Sequence, residues 1–285
     1  KNTLASEGGA AVSTHYNPRN QTTNLPQTSG AMKEVVQDAS KGVKNLGLNK
    51  STEELDAIFN KIKLEMNKSV LAQERFVDDL LVSFKKAFLA REKGSVQNTI
   101  LLSGPAGTGK NKSMKVLVNE LYKNKLVPYK SYSTIDLSEY GENDIYTNFI
   151  VDCSNVFSYG IGTVCFTGFE KAQSKILQYV TKLFKDGYFR TAEGIIVDAS
   201  DYFLLLYSDC DVKEKAIDRK LPLSIANKIP SMLLKEIRSF AITSELDLDT
   251  LSFILQSQLV EAAVKLKMQA QLTVNFELNV FSEMA

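Results

Sequence analysis

The sequence predicts an α/β protein in which helices flank a parallel β-sheet, and two observations support that prediction. Short apolar runs alternate with amphipathic helical stretches through the middle of the chain, which is the pattern of strands joined by crossover helices. The first apolar run is followed by a glycine-rich turn that opens a helix. The predicted strands are TILLS at 99–103, Tyr132–Leu137, Gly162–Phe166, Gly194–Val197 and Tyr202–Tyr207, and the intervening helices include Ile145–Phe157 and Lys171–Lys185.

Composition narrows the classes of function. The chain has 285 residues, of which 44% are apolar, and a formal net charge of +1. This near-neutral balance argues against a nucleic-acid module, which would show a basic face. Its histidine and its cysteines have no metal-ligand spacing, which favours buried thiols in a reducing compartment, either the cytoplasm or an organelle interior. The longest apolar run, YFLLLY, is too short for a transmembrane segment. We therefore expect protein partners.

Three segments of the chain differ in character. Residues 1–48 are rich in Asn, Thr, Ser, Gln and Gly without a sustained period, which predicts a flexible tail or linker. Residues 49–229 open with a capping box of Ser51 and Glu54 and contain the alternating strands and helices, so they form the predicted large domain. Residues 230–285 carry a long amphipathic helix and the alternating run LTVNFELNV, which predict a small second domain, expected to be truncated at its end.

The run GPAGTGKN follows the strand TILLS directly and opens a helix, which is the setting of a phosphate-binding loop. Glycines let backbone N–H groups surround a phosphate, the helix N-terminus adds a favourable dipole, and Lys110 reaches the terminal phosphates. Asn111 stands where such loops carry the Ser or Thr that ligates Mg²⁺, so it is a weak candidate metal ligand. The predicted phosphate-binding residues are Gly104, Pro105, Ala106, Gly107, Thr108, Gly109, Lys110 and Asn111.

Several runs together resemble the Clp-type AAA+ ATPases of the ClpA/ClpB class. They are VLAQERFVDDLL, GPAGTGK, IDLSEY, FEKAQSKILQYVTKLFKDGYFRTAEG and YFLLLYSD, and GTGKN is also similar to the torsin branch. The resemblance implies a P-loop αβα sandwich, a small α+β lid domain, and ring assembly with ATP at the subunit interfaces. By position it implies that Val70 and Leu71 line the adenine, that Asp209 is the sensor, and that Lys235 or Arg238 acts on a neighbouring subunit.

The chain departs from this family where hydrolysis is carried out. The resemblance implies an Asp-Glu pair, which holds Mg²⁺ and activates the attacking water, where Thr167 and Gly168 stand. Loss of a general base typically costs ~10²–10⁴ in rate. Glu170 is a possible substitute by position, although the family already carries a glutamate there that serves the following helix.

Asp209 stands where the family usually has a neutral Asn, and two hypotheses about it are open. It supplies the metal-binding carboxylate that Thr167 lacks, or it pairs directly with Lys110 and fills the phosphate loop with an internal ion pair. We favour the pairing. The plain alternative is a solvated aspartate at the end of a strand.

These losses predict a degenerate Clp-like AAA+ module, a pseudo-ATPase that serves as a structural or regulatory subunit of a larger assembly. The alternative is a weakly active ATP-dependent remodelling chaperone, in which Asp209 or Glu170 supplies the missing acid. We expect the loop to take ATP or ADP or to stay nucleotide-free, and we expect Mg²⁺ to be held poorly. The expected partners are other AAA+ subunits or a larger complex.

Overall fold

The computed structural model describes residues 32–37, 50–90, 96–141, 148–159, 161–210, 221–271 and 273. Its strands are β1 Met32–Gln37, β2 Asn98–Gly104, β3 Lys130–Asp136, β4 Thr163–Thr167, β5 Tyr188–Arg190, β6 Ile196–Asp198, β7 Phe203–Asp209 and β8 Ser239–Ile242. Its α-helices are α1 Thr52–Ser69, α2 Glu74–Leu89, α3 Lys110–Lys123, α4 Ile150–Val156, α5 Ser174–Asp186, α6 Leu223–Ala226, α7 Ser231–Leu234 and α8 Leu248–Ala270.

The described strands form a main sheet in the order β1-β3-β4-β7-β2-β8 and a separate β5-β6 hairpin. β1 runs antiparallel to β3, and the five other strands of the main sheet are parallel. The predicted parallel α/β sheet is therefore confirmed. The strand order also places β7 between β2, which precedes the glycine-rich loop, and β4.

Helices cover both faces of this sheet. Side chains of α1, α2 and α3 pack with Ile100 and Leu102 of β2 in one core, whereas side chains of α4 and α5 pack with Leu101 in a second core. Because successive residues of a strand point to opposite faces, the continuous apolar run of β2 contributes to both cores. The result is an α/β sandwich that is compatible with a P-loop fold.

Part of the segment predicted as an N-terminal tail belongs to the sheet. Met32 lies opposite Ile135 and Gln37 lies opposite Lys130, so the whole of β1 pairs with β3. The expectation of an unstructured segment over 1–48 is therefore wrong for residues 32–37, and the rest of that segment lies outside the described residues. The run MKEVVQ is short and half polar, so its sequence alone does not indicate a strand. Its pairing with β3 does.

The main sheet continues past the domain boundary predicted at residue 230. β8 pairs in parallel with β2, with Ser239 opposite Ile100 and Ile242 opposite Ser103, so β8 belongs to the sheet and not to the predicted small domain. α8 follows, and none of its residues is buried against the described part of the chain. The predicted strand LTVNFELNV lies outside the described residues apart from Thr273, which is not in a strand.

Two smaller predictions are also met. Ser51 Oγ accepts a hydrogen bond from the Glu54 amide at 3.2 Å and Glu54 Oε2 accepts one from the Ser51 amide at 3.0 Å, which is the predicted capping box. All three cysteines are buried free thiols, and burial raises the pKa of Cys165 to about 12. Among the helices described, we find none with the length and apolar character needed to cross a membrane.

The ring pair of Phe84 and Phe203 provides a test of the core assignment. The rings are buried and stacked, with centroids 4.2 Å apart. We expect Phe84→Ala to lower the free energy of unfolding by about 3–5 kcal/mol, because it removes apolar burial and leaves a cavity.

The matched control is Phe253→Ala, because the Phe253 side chain on α8 is 57% exposed. Its effect should stay within about 0.5 kcal/mol. Urea unfolding followed by circular dichroism measures both variants. Equal losses of stability in the two would contradict the assignment.

Candidate phosphate-binding site

The glycine-rich loop joins the carboxyl end of β2 to the first turn of α3. β2 ends at Gly104, and Gly109 precedes the helix with a left-handed backbone, φ 95°. Ala106 and Gly107 at the tip of the loop are exposed. The loop thus lies at the carboxyl edge of the parallel strands, where ligands of open α/β sheets bind. The N–H groups at the start of α3 face this edge and favour an anion.

Lys110 is buried beneath the loop. Its ammonium donates hydrogen bonds to the carbonyl oxygens of Gly104 at 2.7 Å and Pro105 at 2.6 Å. The same Nζ lies 3.0 Å from Asp209 Oδ1, at the end of β7. Because an ammonium group has three donors, these three acceptors account for all of them. The predicted pairing of Lys110 with Asp209 is therefore present in the structure.

The environment of Lys110 has opposing effects on its charge. Burial lowers the pKa of Lys110, and the hydrogen bond and charge of Asp209 act in the opposite direction. The ring of Tyr207 adds a cation–π contact, with its centroid 5.0 Å from Nζ. Burial, followed by the charge of Asp209, raises the pKa of Tyr207. Asp209 is thus the carboxylate that offsets the desolvation of the buried ammonium.

Thr243, which follows β8, packs against the glycine-rich loop at Gly104 and Thr108. A Cβ added at Gly104 would lie 2.1 Å from Thr243 Oγ1, so only glycine allows this approach. The Oγ1 atoms of Thr108 and Thr243 are 2.6 Å apart, and Thr108 Oγ1 also donates to Pro105 O at 2.8 Å. No local pattern around Thr243 predicted this role, because the contact depends on the pairing of β8 with β2.

Gln73 fixes the segment that carries Thr243. Its Nε2 donates to Ser244 O at 2.8 Å, and its Oε1 accepts from the Ser244 amide at 2.9 Å. Gln73 is buried and lies just before α2. This residue lies within the run VLAQERF that carries the family resemblance, but the sequence alone did not indicate that its amide would bind the backbone after β8.

Asn111 is engaged away from the phosphate loop. Its Oδ1 accepts a hydrogen bond from Tyr132 Oη at 3.2 Å, so the oxygen proposed as a weak metal ligand is used to bind β3. Tyr132 is itself buried in the core. Asn111 therefore offers a metal ion only the remaining lone pair of an oxygen that already binds β3.

The tip of β4 has no space for a side chain at Gly168. Gly168 has a left-handed backbone, φ 67°, and an added Cβ would lie 2.2 Å from Asp136 Oδ1. Asp136, at the end of β3, is held there because its Oδ1 accepts from the Ser138 amide at 3.0 Å and from Ser138 Oγ at 2.7 Å. The neighbouring Thr167 is half-buried. Asp136 was not among the predicted site residues, although it lies in the quoted run IDLSEY.

Glu170 is the second candidate acid near this edge. It is exposed, and its Oε1 accepts a hydrogen bond from Ser208 Oγ at 3.3 Å. Ser208 is buried and precedes Asp209 in β7. Glu170 and Asp209 therefore both lie around the end of β7, but successive strand residues point to opposite faces, so they approach it from different sides.

The predicted adenine-lining residues lie beside the loop. Val70 is buried, and its Cγ1 would be 3.8 Å from a Cβ added at Gly109. Leu71 follows it and is half-buried. Val70 is therefore next to the start of α3, and the adenine-lining role of Val70 and Leu71 stays a prediction.

Lys235 and Arg238 lie at the opposite edge of the sheet from Lys110. The amide of Arg238 donates to Thr99 O at 3.0 Å, at the amino end of β2. With about 3.3 Å per strand residue, that end lies about 16 Å from the phosphate loop. Both side chains are exposed. Lys110 of the same chain is therefore out of their reach, and their predicted action on a neighbouring subunit stays a prediction.

The described residues thus offer more donors to a phosphate group than ligands to a metal ion beside it. The loop presents exposed backbone and the start of a helix, whereas the three predicted metal-site positions hold an engaged Asn111, Thr167 and a glycine. No protein-family model matches the chain, and no curated protein matches it.

Because Asp136 approaches Gly168 so closely, we expect that one added methyl group at Gly168 destabilises the protein. Gly168→Ala should lower the free energy of unfolding by about 2–4 kcal/mol, through the left-handed backbone and the overlap with Asp136. Gly107→Ala is the matched control: its φ is 77° but a Cβ there would meet nothing within 4 Å. It should lose only about 1 kcal/mol from the backbone. Chemical unfolding of both variants measures the difference, and indistinguishable losses would show that Asp136 does not fill this space.

Proposed function

We propose that the chain is a degenerate Clp-like AAA+ module that does not hydrolyse ATP and serves as a structural or regulatory subunit of a larger assembly. The parallel sheet, the loop after β2 and the resemblance over most of the chain support the module. The single observation that carries the loss of hydrolysis is Gly168, because its backbone and surroundings exclude a carboxylate at that position.

This loss goes beyond the replacement of one side chain. A Cβ at Gly168 would overlap Asp136 Oδ1 at 2.2 Å and Ser138 Oγ at 2.9 Å. A glutamate there would need a different backbone at the end of β4 and a different place for Asp136. A residue without a side chain cannot accept a proton from water, and general-base catalysis is worth about 10²–10⁴ in rate. In the proposed pseudo-ATPase, Asp136 and Ser138 thus fill the space that a catalytic side chain at position 168 would need.

Charge at the loop supports the same proposal. Asp209 brings a carboxylate to 3.0 Å from Lys110 Nζ, while phosphoryl transfer depends on positive charge around the transferring group. None of the positions proposed for Mg²⁺ carries a carboxylate, and Asn111 Oδ1 already accepts a hydrogen bond from Tyr132. One stabilising charge of the reaction, the lysine, is therefore already engaged, and the positions proposed for Mg²⁺ lack a carboxylate that would hold the ion.

Assembly is proposed from the surface that the fold leaves exposed. Lys235 and Arg238 are exposed at the edge of the sheet opposite the phosphate loop, where they are available to a neighbouring subunit. α8 has no buried residue against the described chain, which fits a proposed lid that packs on other parts of an assembly. The partners we propose are other AAA+ subunits or a larger complex, in the cytoplasm or an organelle interior.

One contact favours a second candidate function, a slow ATP-dependent remodelling chaperone. Glu170 is exposed, and its carboxylate lies 3.3 Å from Ser208 Oγ, beside the end of β7. A carboxylate at this edge is a candidate base. Its contact with Ser208 and its position on the other side of β7 from Lys110 make it the weaker proposal.

Phosphate release tests the proposal directly. With ATP and Mg²⁺ in excess, a malachite-green assay should give equal background for the wild type, Lys110→Ala and the control Lys112→Ala, because no group activates water. Lys112 is exposed on the same helix turn, so its removal matches the change in charge.

Release by the wild type and Lys112→Ala that disappears in Lys110→Ala would contradict the pseudo-ATPase. In that event Glu170→Gln separates the candidates, since the chaperone proposal requires its carboxylate. Loss of about 10²-fold or more in that variant would identify Glu170 as the base.

A further inference from the structure

We infer that the phosphate loop binds a nucleoside diphosphate in preference to the triphosphate, because Asp209 takes the place at Lys110 that a γ-phosphate oxygen would occupy. The inference rests on the proposed function in treating the loop as a phosphate cradle. It adds the class of ligand and the residue that selects it.

All three hydrogen-bond donors of the Lys110 ammonium already have acceptors. Gly104 O and Pro105 O take two of them, at 2.7 and 2.6 Å, and both belong to the loop itself. The third points to Asp209 Oδ1 at 3.0 Å. A lysine in such a loop reaches the β- and γ-phosphates. The only donor that could do so here already has an anionic acceptor.

The backbone of Asp209 holds its carboxylate beside the loop. Asp209 lies opposite Gly104 in the pairing of β7 with β2, and the amide of the next residue, Cys210, donates to Gly104 O at 3.0 Å. The strand end is therefore anchored to the loop. The side chain is half-exposed, whereas that of Lys110 is 1% exposed, so removing Asp209 from the pair would leave a buried ammonium without its carboxylate.

A diphosphate meets less of this competition, because it carries only the β-phosphate of the two phosphates that such a lysine reaches. Its terminal β-phosphate binds to the loop N–H groups and the start of α3, which use backbone donors and the helix dipole. Those donors do not depend on the third hydrogen of Lys110. A γ-phosphate would extend toward Lys110 and meet the carboxylate of Asp209, and like charges at such a distance repel. Neither Thr167 nor Gly168 has a carboxylate that could hold a metal ion to screen the two negative charges from each other.

Equilibrium titration with fluorescent N-methylanthraniloyl ADP and ATP tests the preference. Unlabelled ADP and ATP are used as competitors, so that the fluorophore does not decide the result. We expect the wild type to bind ADP about tenfold or more tightly than ATP, the effect of about 1.4 kcal/mol. Asp209→Asn should bring the two within about threefold by tightening ATP, because the amide keeps the shape and removes the charge.

Asp186→Asn is the matched control. Asp186 is the exposed last residue of α5, and the next residue, Gly187, packs against Val96 before β2, so the control removes the same charge at the opposite edge of the sheet. It should keep the wild-type ratio. Equal affinities in the wild type, tighter ATP binding, or an unchanged ratio in Asp209→Asn would each overturn the inference. Failure of both nucleotides to bind would overturn it as well, and would leave the proposed absence of hydrolysis standing.

Discussion

The buried ammonium of Lys110 is the group on which the candidate site depends. Three acceptors surround it, namely two carbonyl oxygens of its own loop and the carboxylate of Asp209. Burying an ammonium is costly unless it is paired and hydrogen-bonded, so this arrangement stabilises the loop in the shape that it has. The same three contacts occupy the donors that a triphosphate would need. One interaction therefore links the stability of the loop to its expected choice of ligand.

A second constraint acts independently at the tip of β4. Asp136 Oδ1 lies within the space that a side chain at Gly168 would occupy, and Ser138 holds it there. Changes at Asp209 would leave this constraint untouched, because it involves the ends of β3 and β4. In the proposed module, the choice of nucleotide and the loss of hydrolysis would thus depend on different residues. A module of this kind can respond to nucleotide without consuming it, which is the behaviour proposed for a regulatory subunit.

The elements that sequence reasoning predicted well are those with strong local signals. β2 is a continuous apolar run, the loop has its glycines and lysine at the expected spacing, and the capping box at Ser51 uses residues three apart. The elements it missed depend on distant partners. β1 is a strand because it pairs with β3, and β8 belongs to the sheet because it pairs with β2. The pairing of Lys110 with Asp209 was predicted from the position that the family resemblance gives Asp209, whereas the contact of Thr243 with the loop had no signal in its own neighbourhood.

A double-mutant cycle on Lys110 and Asp209 tests the central claim most directly. The free energy of unfolding is measured for the wild type, Lys110→Met, Asp209→Asn and the double variant. The two residues should be coupled by about 1 kcal/mol or more, since contacting charged residues are not independent, and Asp209→Asn should have little effect once Lys110 is methionine. Additive losses, with coupling below about 0.3 kcal/mol, would show that Asp209 does not hold the ammonium and would contradict the account.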